Sequence, residues 1–281
     1  MDNRIIGIDE GYCKHRAIFS YIALHKIERE KLMKSEDVDE DTARRMLEIK
    51  LKNNIIFLPQ PTLTFMRMII GYFKKLKVTS ADRILFFQDY GSWRKAEDVT
   101  YKRQRKEKRE EKEDDLWWTN TYNSFNELYN KLEPVINWNF CRKYLMESDD
   151  WASVCCKVFS DKEIILISSD VDWEMLCIYG NVKIFSPLQN KKTKVAKYKD
   201  VPNPMGVLAS KINKDISDNL LHAPTSEREF AIRNKIVNLI ELPEEIERPL
   251  KEVLLNLPLK NLSISKIPYA SVRKELEKLY K

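Results

Sequence analysis

The chain has 281 residues, 43% of them hydrophobic and 33% charged, and 49 basic against 43 acidic side chains give a formal net charge of +6. This composition excludes a disordered or low-complexity chain, and no apolar run is long enough to cross a bilayer. The length suits one large domain with a smaller one attached. The five cysteines, Cys13, Cys141, Cys155, Cys156 and Cys177, form no C-x-x-C pair, which argues against a zinc site or disulfide framework and for a reducing compartment. The opening Asp2-Asn3-Arg4 does not read as a secretory signal, so a cytoplasmic protein with no membrane partner is expected.

Arg4 to Ile8 reads as a buried strand that ends in Asp9. Lys14 to Leu32 has apolar residues at helical spacing, and Ser35 to Lys52 is charged and helix-prone, an insertion or lid helix. Pro59 and Pro61 punctuate the chain, and Thr62 or Thr64 is expected to cap a helix carrying Phe65, Met68, Ile69 and Phe73. Arg83 to Phe87 is a second unbroken apolar run, followed by Asp89.

From Ser92 to Asp115 the composition changes to almost continuous charge. Between Tyr101 and Arg109 six cations, Lys102, Arg103, Arg105, Lys106, Lys108 and Arg109, face one acid, Glu107. A solvated helix with i,i+4 ion pairs explains the later half. The first half suits a phosphate-binding surface, because Trp93 and Tyr101 are interleaved with cations and could stack on bases. Leu116, Trp117 and Trp118 return to the core, and Tyr122 to Leu132 is a helix ended by Pro134. A strand is expected within Val135 to Tyr144.

The stretch Met146 to Leu176 is the most informative. Trp151, Val154, Cys155, Val158 and Phe159 recur at helical spacing behind Glu147, Asp149 and Asp150; the run Ile164 to Ile167 then ends just before Asp170 and Asp172. Unbroken apolar strands suggest a parallel sheet covered on both faces, and ligands bind at the carboxyl ends of such strands. Taken singly, each acid is more simply a helix-dipole partner or a turn former. Three strands ending in acids change the balance. If they are parallel, Asp9, Asp89, Asp170 and Asp172 converge with Glu147, Asp149 and Asp150, and an all-oxygen cluster points to Mg²⁺ or Mn²⁺.

Val182 to Phe185 reads as a further strand. Asn190 to Lys199 carries five lysines and no acid, either a second phosphate contact or a solubilising loop. After Pro202 and Pro204 the chain is helical: Met205 to Ile212, Ser226 to Ile240, Glu244 to Leu255 and Tyr269 to Leu279. Asp215 and Asp218, with Lys211 and Lys214 beside them, read by themselves as a polar interhelical turn.

Together these pieces resemble the flap endonuclease or 5′-3′ exonuclease family, in particular its bacterial and phage members, including phage ribonuclease H-type 5′ nucleases. E-S-D-D at Glu147 to Asp150 is similar to E-A-D-D, and I-S-S-D-V-D at Ile167 to Asp172 to I-S-G-D-x-D. K-D-I-S-D-N at Lys214 to Asn219 is similar to G-D-x-S-D-N, Y-K-R-Q-R at Tyr101 to Arg105 to the Y-K-x-x-R of a helical arch, and Arg233 to Pro243 to R-N-x-x-L-I-x-L-P. The matches keep family order from Asp9 to Pro243. Two departures stand out: the usual glycine is absent around Asn213, and Leu220 to Thr225 replaces a glycine-rich hairpin.

The resemblance implies an α/β PIN-like core with a mostly parallel sheet over residues 1–200, including a basic arch at 92–118, and an all-helical duplex-binding region of the helix-3-turn-helix kind at 201–281. It implies two Mg²⁺ ions, replaceable by Mn²⁺, with Asp9, Asp89, Glu147, Asp149 and Asp170 on or near the first and Asp150, Asp172, Asp215 and Asp218 serving the second. Asp170 and Asp172 are then catalytic carboxylates, and Lys102 and Arg105 supply positive charge at the scissile phosphate. Arg94, Lys95, Tyr101, Arg103, Lys211 and Lys214 are expected substrate contacts. The expected activity is metal-dependent hydrolysis near 5′ ends of branched or duplex DNA, or of RNA paired to DNA, by a monomer in a bacterial cell or phage-infected host, with a replication protein as a further partner. A PIN-type endoribonuclease and a structure-specific DNA-binding protein without turnover are the alternatives.

Overall fold

The computed structural model describes residues 4–103, 115–187, 197–213, 224–258, 260 and 262–280. Among them the strands are β1 (Arg4–Asp9), β2 (Arg83–Phe87), β3 (Trp138–Cys141), β4 (Glu163–Ile167), β5 (Val182–Ser186) and β6 (Lys197–Tyr198). They form one sheet in the order β3-β2-β1-β4-β5-β6. All neighbours are parallel except β5 and β6. The chain moves outward from β1 to β2 and β3, then returns to place β4 on the other side of β1. This reversal opens a crevice at the carboxyl ends of β1 and β4, where open α/β sheets bind ligands.

The helices are α1 (Glu10–Glu36), α2 (Glu40–Lys52), α3 (Pro61–Leu76), α4 (Arg94–Glu97), α5 (Asp115–Leu132), α6 (Ser148–Val158), α7 (Pro204–Asn213), α8 (Glu227–Val237), α9 (Glu244–Leu255) and α10 (Ala270–Leu279), with a 3₁₀ helix at Asp172–Tyr179. The strands have apolar residues on both faces because helices cover both. Ile6, Ile8, Ile84, Phe86, Ile165 and Ile167 point to one core, filled from α1, α3, α5 and α10. Ile5, Leu85, Phe87, Ile164 and Leu166 point to the other, filled from α6, the 3₁₀ helix, α7 and α9. The helices beyond residue 200 thus pack on both faces of the sheet. Gly7 permits a close approach on the second face, since a Cβ there would lie 2.7 Å from both Leu166 Cδ2 and Phe87 Cε2.

Ser35 to Lys52 is not one helix. α1 runs to Glu36, Asp37 turns the chain at φ 50°, and α2 begins behind Asp39, whose side chain accepts from Thr42 N. Neither threonine caps α3: Gln60 is its N-cap and Pro61 its first helical residue. The fixed φ and missing N–H of proline suit that position. Thr62 is buried and its hydroxyl pairs with Tyr269 Oη at 2.7 Å, while Thr64 Oγ1 donates to Pro59 O. The center of the expected arch, residues 104–114, lies outside the described residues, as do the lysine run through 196 and residues 214–223. All five cysteines are free thiols, and no described helix is long and apolar enough to cross a membrane.

Phe86 is fully buried and packs its ring against Phe65, Trp138 and Phe140. Phe86→Ala should lower stability by about 3–5 kcal/mol, read as a lower denaturant midpoint.

Candidate metal centre

Parallel register lines up the strand ends. Ile8 is level with Ile167 and Asp9 with Phe87, so Asp9 faces the residue after β4 on one side and the turn leading to Asp89 on the other. Asp9 also begins α1, accepting from Tyr12 N at 2.9 Å, and its second oxygen accepts from Ser168 Oγ at 2.9 Å. One Asp9 oxygen and one Asp89 oxygen each lie 3.7 Å from the position a Cβ on Gly11 would take. Asp89 accepts from Ser148 N, the first residue of α6, at 2.7 Å. Helix starts carry unpaired N–H groups and partial positive charge, which attract a carboxylate.

Asp170 follows β4, is exposed, and accepts from Asp172 N at 2.9 Å. Asp149 Oδ1 accepts from Trp173 Nε1 at 2.7 Å. Burial, reinforced by Asp89 and Asp170, pushes the Asp9 carboxyl up to about 7 despite the opposing hydrogen bonds from Tyr12 and Ser168. Burial and the charge of Asp170 also raise Asp149 well above the ordinary carboxylate range. The charges of Asp89 and Asp170 thus reach Asp9, and that of Asp170 also reaches Asp149 from the start of α6. Among the described residues no three Asp, Glu, His or Cys side chains already close on one coordination point.

Glu147 is buried, and its carboxylate is held by Ser92 Oγ at 2.8 Å, Arg94 Nη1 at 2.8 Å, Tyr101 Oη at 3.2 Å and Lys102 Nζ. Burial would raise its pKa, but the charges of Lys102 and Arg94 outweigh this and lower it. Asp150 is completely buried. Its oxygens accept from Glu147 N at 2.8 Å and Trp93 Nε1 at 3.2 Å, and Arg94 Nη2 lies 2.8 Å away. The reciprocal bonds between Glu147 and Asp150 cap α6. Asp150 is thus engaged in holding the helix start, a different position from the ligand expected in the sequence.

The base of the basic segment also differs from its reading as a substrate surface. Arg94 is 1% exposed, Tyr101 5% and Trp93 6%, so none of the three can stack on or grip a substrate. Their polar groups face inward, which patterning in a charged stretch cannot reveal. Lys95 and Arg103 are exposed. Lys102 adopts φ 59° and reaches Glu147; burial works to lower its pKa, but Glu147, Asp149 and Asp89 are among the groups that outweigh this and raise it. Lys211 is ion-paired with Asp172, which fixes α7 to the 3₁₀ helix. Arg105, Lys214, Asp215 and Asp218 lie outside the described residues.

Residues the sequence reading missed also shape the site. Glu10, at 1% exposure, bonds Tyr129 Oη and pairs with Lys14 at 3.1 Å. Ser92 and Ser168 position Glu147 and Asp9. For Glu10 the available signal was its adjacency to Asp9; the serines carried none.

No family model matches the chain. In sequence it is 32% identical over 127 residues to a ribonuclease H of Enterobacteria phage T4, an alignment covering 43% of this chain and 41% of that protein. The chain thus aligns with about two-fifths of that relative's length. In structure it superposes on the T5 D15 protein co-crystallized with metal ions, with a TM-score of 0.51 and 12% identity over 98% of both chains. The chain has the fold of the T5 D15 protein. A T5 D15 flap endonuclease complex with DNA and metal ions aligns at a TM-score of 0.47 and 13% identity, covering 98% of this chain and 97% of that one.

The oxygen-only set of mutually repelling carboxylates fits a hard divalent cation. Without such a cation, the fold disfavours ionised Asp9. Its cost begins once the unfolded carboxyl ionises near pH 4 and is complete above about pH 7. In chelator, stability should therefore fall as pH rises through this window, on the order of a few kcal/mol. Asp9→Asn should flatten the profile, measured by thermal denaturation between pH 4 and 8.

Proposed function

We propose that this chain is a divalent-metal-dependent 5′ nuclease that hydrolyses phosphodiesters near the 5′ ends of branched or duplex nucleic acid. The observation that carries the reading is the gathering of Asp9, Asp89, Asp149 and Asp170 at the β1/β4 reversal with Lys102 against the same cluster. Binding phosphates alone gives no reason to concentrate carboxylates, so turnover is favoured over passive DNA binding. The partial likeness to phage T4 ribonuclease H supports the same class of chemistry.

Asp9, Asp89, Asp149 and Asp170 would hold the cation or cations, with Mg²⁺ the expected ion and two the expected number. Asp172, Asp215 and Asp218 are proposed to serve the second ion. Bound there, a divalent ion supplies Lewis acidity and lowers the pKa of water. The chain's own groups do the rest. Lys102 presents its ammonium where negative charge develops on the phosphate, with Arg105 proposed beside it. Ser168 and Ser148 N fix the orientations of Asp9 and Asp89, so both carboxylates are preorganised. Glu147, anchored by Arg94, positions Lys102 and sets the charge behind the ligands. Lys95 and Arg103 are proposed to steer the strand. We further infer action in the cytoplasm as a monomer, on DNA or on RNA paired to DNA.

Asp170→Ala removes an exposed acid that repels its neighbours, so it should cut Mg²⁺-dependent cleavage of a 5′-labelled flap by at least about a hundredfold while leaving the melting temperature unchanged or higher. Undiminished cleavage would refute the assignment. Preference for single-stranded RNA over flapped, nicked and RNA-primed duplexes would point instead to a PIN-type endoribonuclease.

A further inference from the structure

α3 presents an exposed basic face that the acid site does not use. On one side, a groove of about 400 Å³ between α1 and α3 is lined by Arg16, Arg67, Lys75 and Tyr72, with no acid among its lining residues. On the other side, a groove of about 400 Å³ between α3 and α10 is lined by Lys74, Lys274, Lys278 and again Arg67, with Glu275 as its one acid. Both grooves share Gly71. A Cβ built at Gly71 meets nothing within 4 Å, so packing does not demand glycine in this mid-helix position, where it costs about 1 kcal/mol against alanine. Its effect is to leave the floor between the two grooves open.

Three further observations point to an anionic occupant. Lys75, Arg67 and Lys274 have no carboxylate partner among the described residues, whereas Lys74 and Lys278 both pair with Glu275. Tyr72 lines the first groove, is 7% exposed, and its buried hydroxyl has no hydrogen-bond partner among the described residues. Such a group costs stability unless something meets it. Arg16 lies seven residues beyond Asp9 on α1, about 10 Å along the helix, and donates to Pro187 O at 2.8 Å, just past the carboxyl end of β5. The groove therefore opens toward the sheet edge that carries the acids. From Arg67 to Lys75 the basic face runs about 12 Å along α3, long enough for several phosphates of one strand at about 3.4 Å of axis each.

We propose that this trough over α3 is a second nucleic-acid contact, which holds the phosphodiester backbone of the bound polynucleotide away from the acid cluster. It deepens the nuclease reading and rests on it for the choice of polynucleotide as ligand. Arg67 and Lys75 grip phosphates, Tyr72 donates to one of them, and the uncrowded surface at position 71, which a small side chain leaves open, gives the backbone room against the helix.

The test uses the full chain and a fluorescent 5′-flapped duplex in chelator, titrated across a KCl series. Arg67→Ala combined with Lys75→Ala should weaken binding about tenfold near 0.1 M salt and reduce the slope of log affinity against log salt by about two. Gly71→Glu should weaken binding as well, while Gly71→Ala binds like the parent and melts no lower. With Mg²⁺, the double variant should raise KM and leave kcat unchanged. Parental affinity and slope in both the double variant and Gly71→Glu would overturn the proposal. So would millimolar inorganic phosphate protecting the parent but not the double variant against heat while duplex affinity stays equal, which would make the trough a site for free phosphate. The binding series reads out whether or not the chain cleaves, so failure of the trough and failure of the nuclease assignment are separable.

Discussion

One buried cation organises the acidic side of the molecule. Arg94 places its two terminal nitrogens against Glu147 and Asp150 and its Nε against Ile236 O at 2.8 Å. Burial works to lower its pKa, but Asp150, Tyr101 and Glu147 are among the groups that outweigh this and raise it. A buried ion pair is costly to break because removing one partner strands the other. Three pieces of chain, the segment after β2, the start of α6 and the end of α8, consequently share one electrostatic anchor. Lys235 adds a pair with Glu97 at 2.8 Å, joining α8 to α4 at the surface.

That anchor separates two kinds of acid that the sequence writes alike. Glu147 and Asp150 are neutralised from within and serve the scaffold. Asp9, Asp89, Asp149 and Asp170 have oxygens bound to hydroxyl, amide or indole N–H donors, which orient them without cancelling their charge. Burial, with their repulsion added, raises Asp9 and Asp149, and a positive ligand opposes both effects. The fold therefore carries a standing electrostatic cost at the crevice and offsets it elsewhere by covering both sheet faces with helices.

This division explains what could be read in advance. The strands at Arg4, Arg83 and Ile164 were legible because both faces are buried, so each appears as an unbroken apolar run. Register then carried their terminal acids to one edge. The break between the first two helices was placed a few residues early, because Met33 to Glu36 can continue a helix and only the αL turn at Asp37, followed by the Asp39 cap, fixes where α1 ends. Trp93, Arg94 and Tyr101 were misjudged for a different reason. Their stretch is charged on average, and burial of an arginine depends on two carboxylates more than fifty residues away. Local pattern holds no trace of that partnership.

Topology supplies the last step. In the order β3-β2-β1-β4-β5, the chain after β1 enters α1 on one face of the sheet and the chain after β4 enters the 3₁₀ helix on the other, so the residue ending β1 borders the reversal. Asp9 occupies that position, Asp89 comes from the β2 side and Asp170 from the β4 side. A carboxylate ending β3 or β5 would be separated from Asp9 by a whole strand, roughly 5 Å farther for each one crossed. The inner strands are thus the ones that can deliver acids to a common point, and this sequence places its aspartates behind those three.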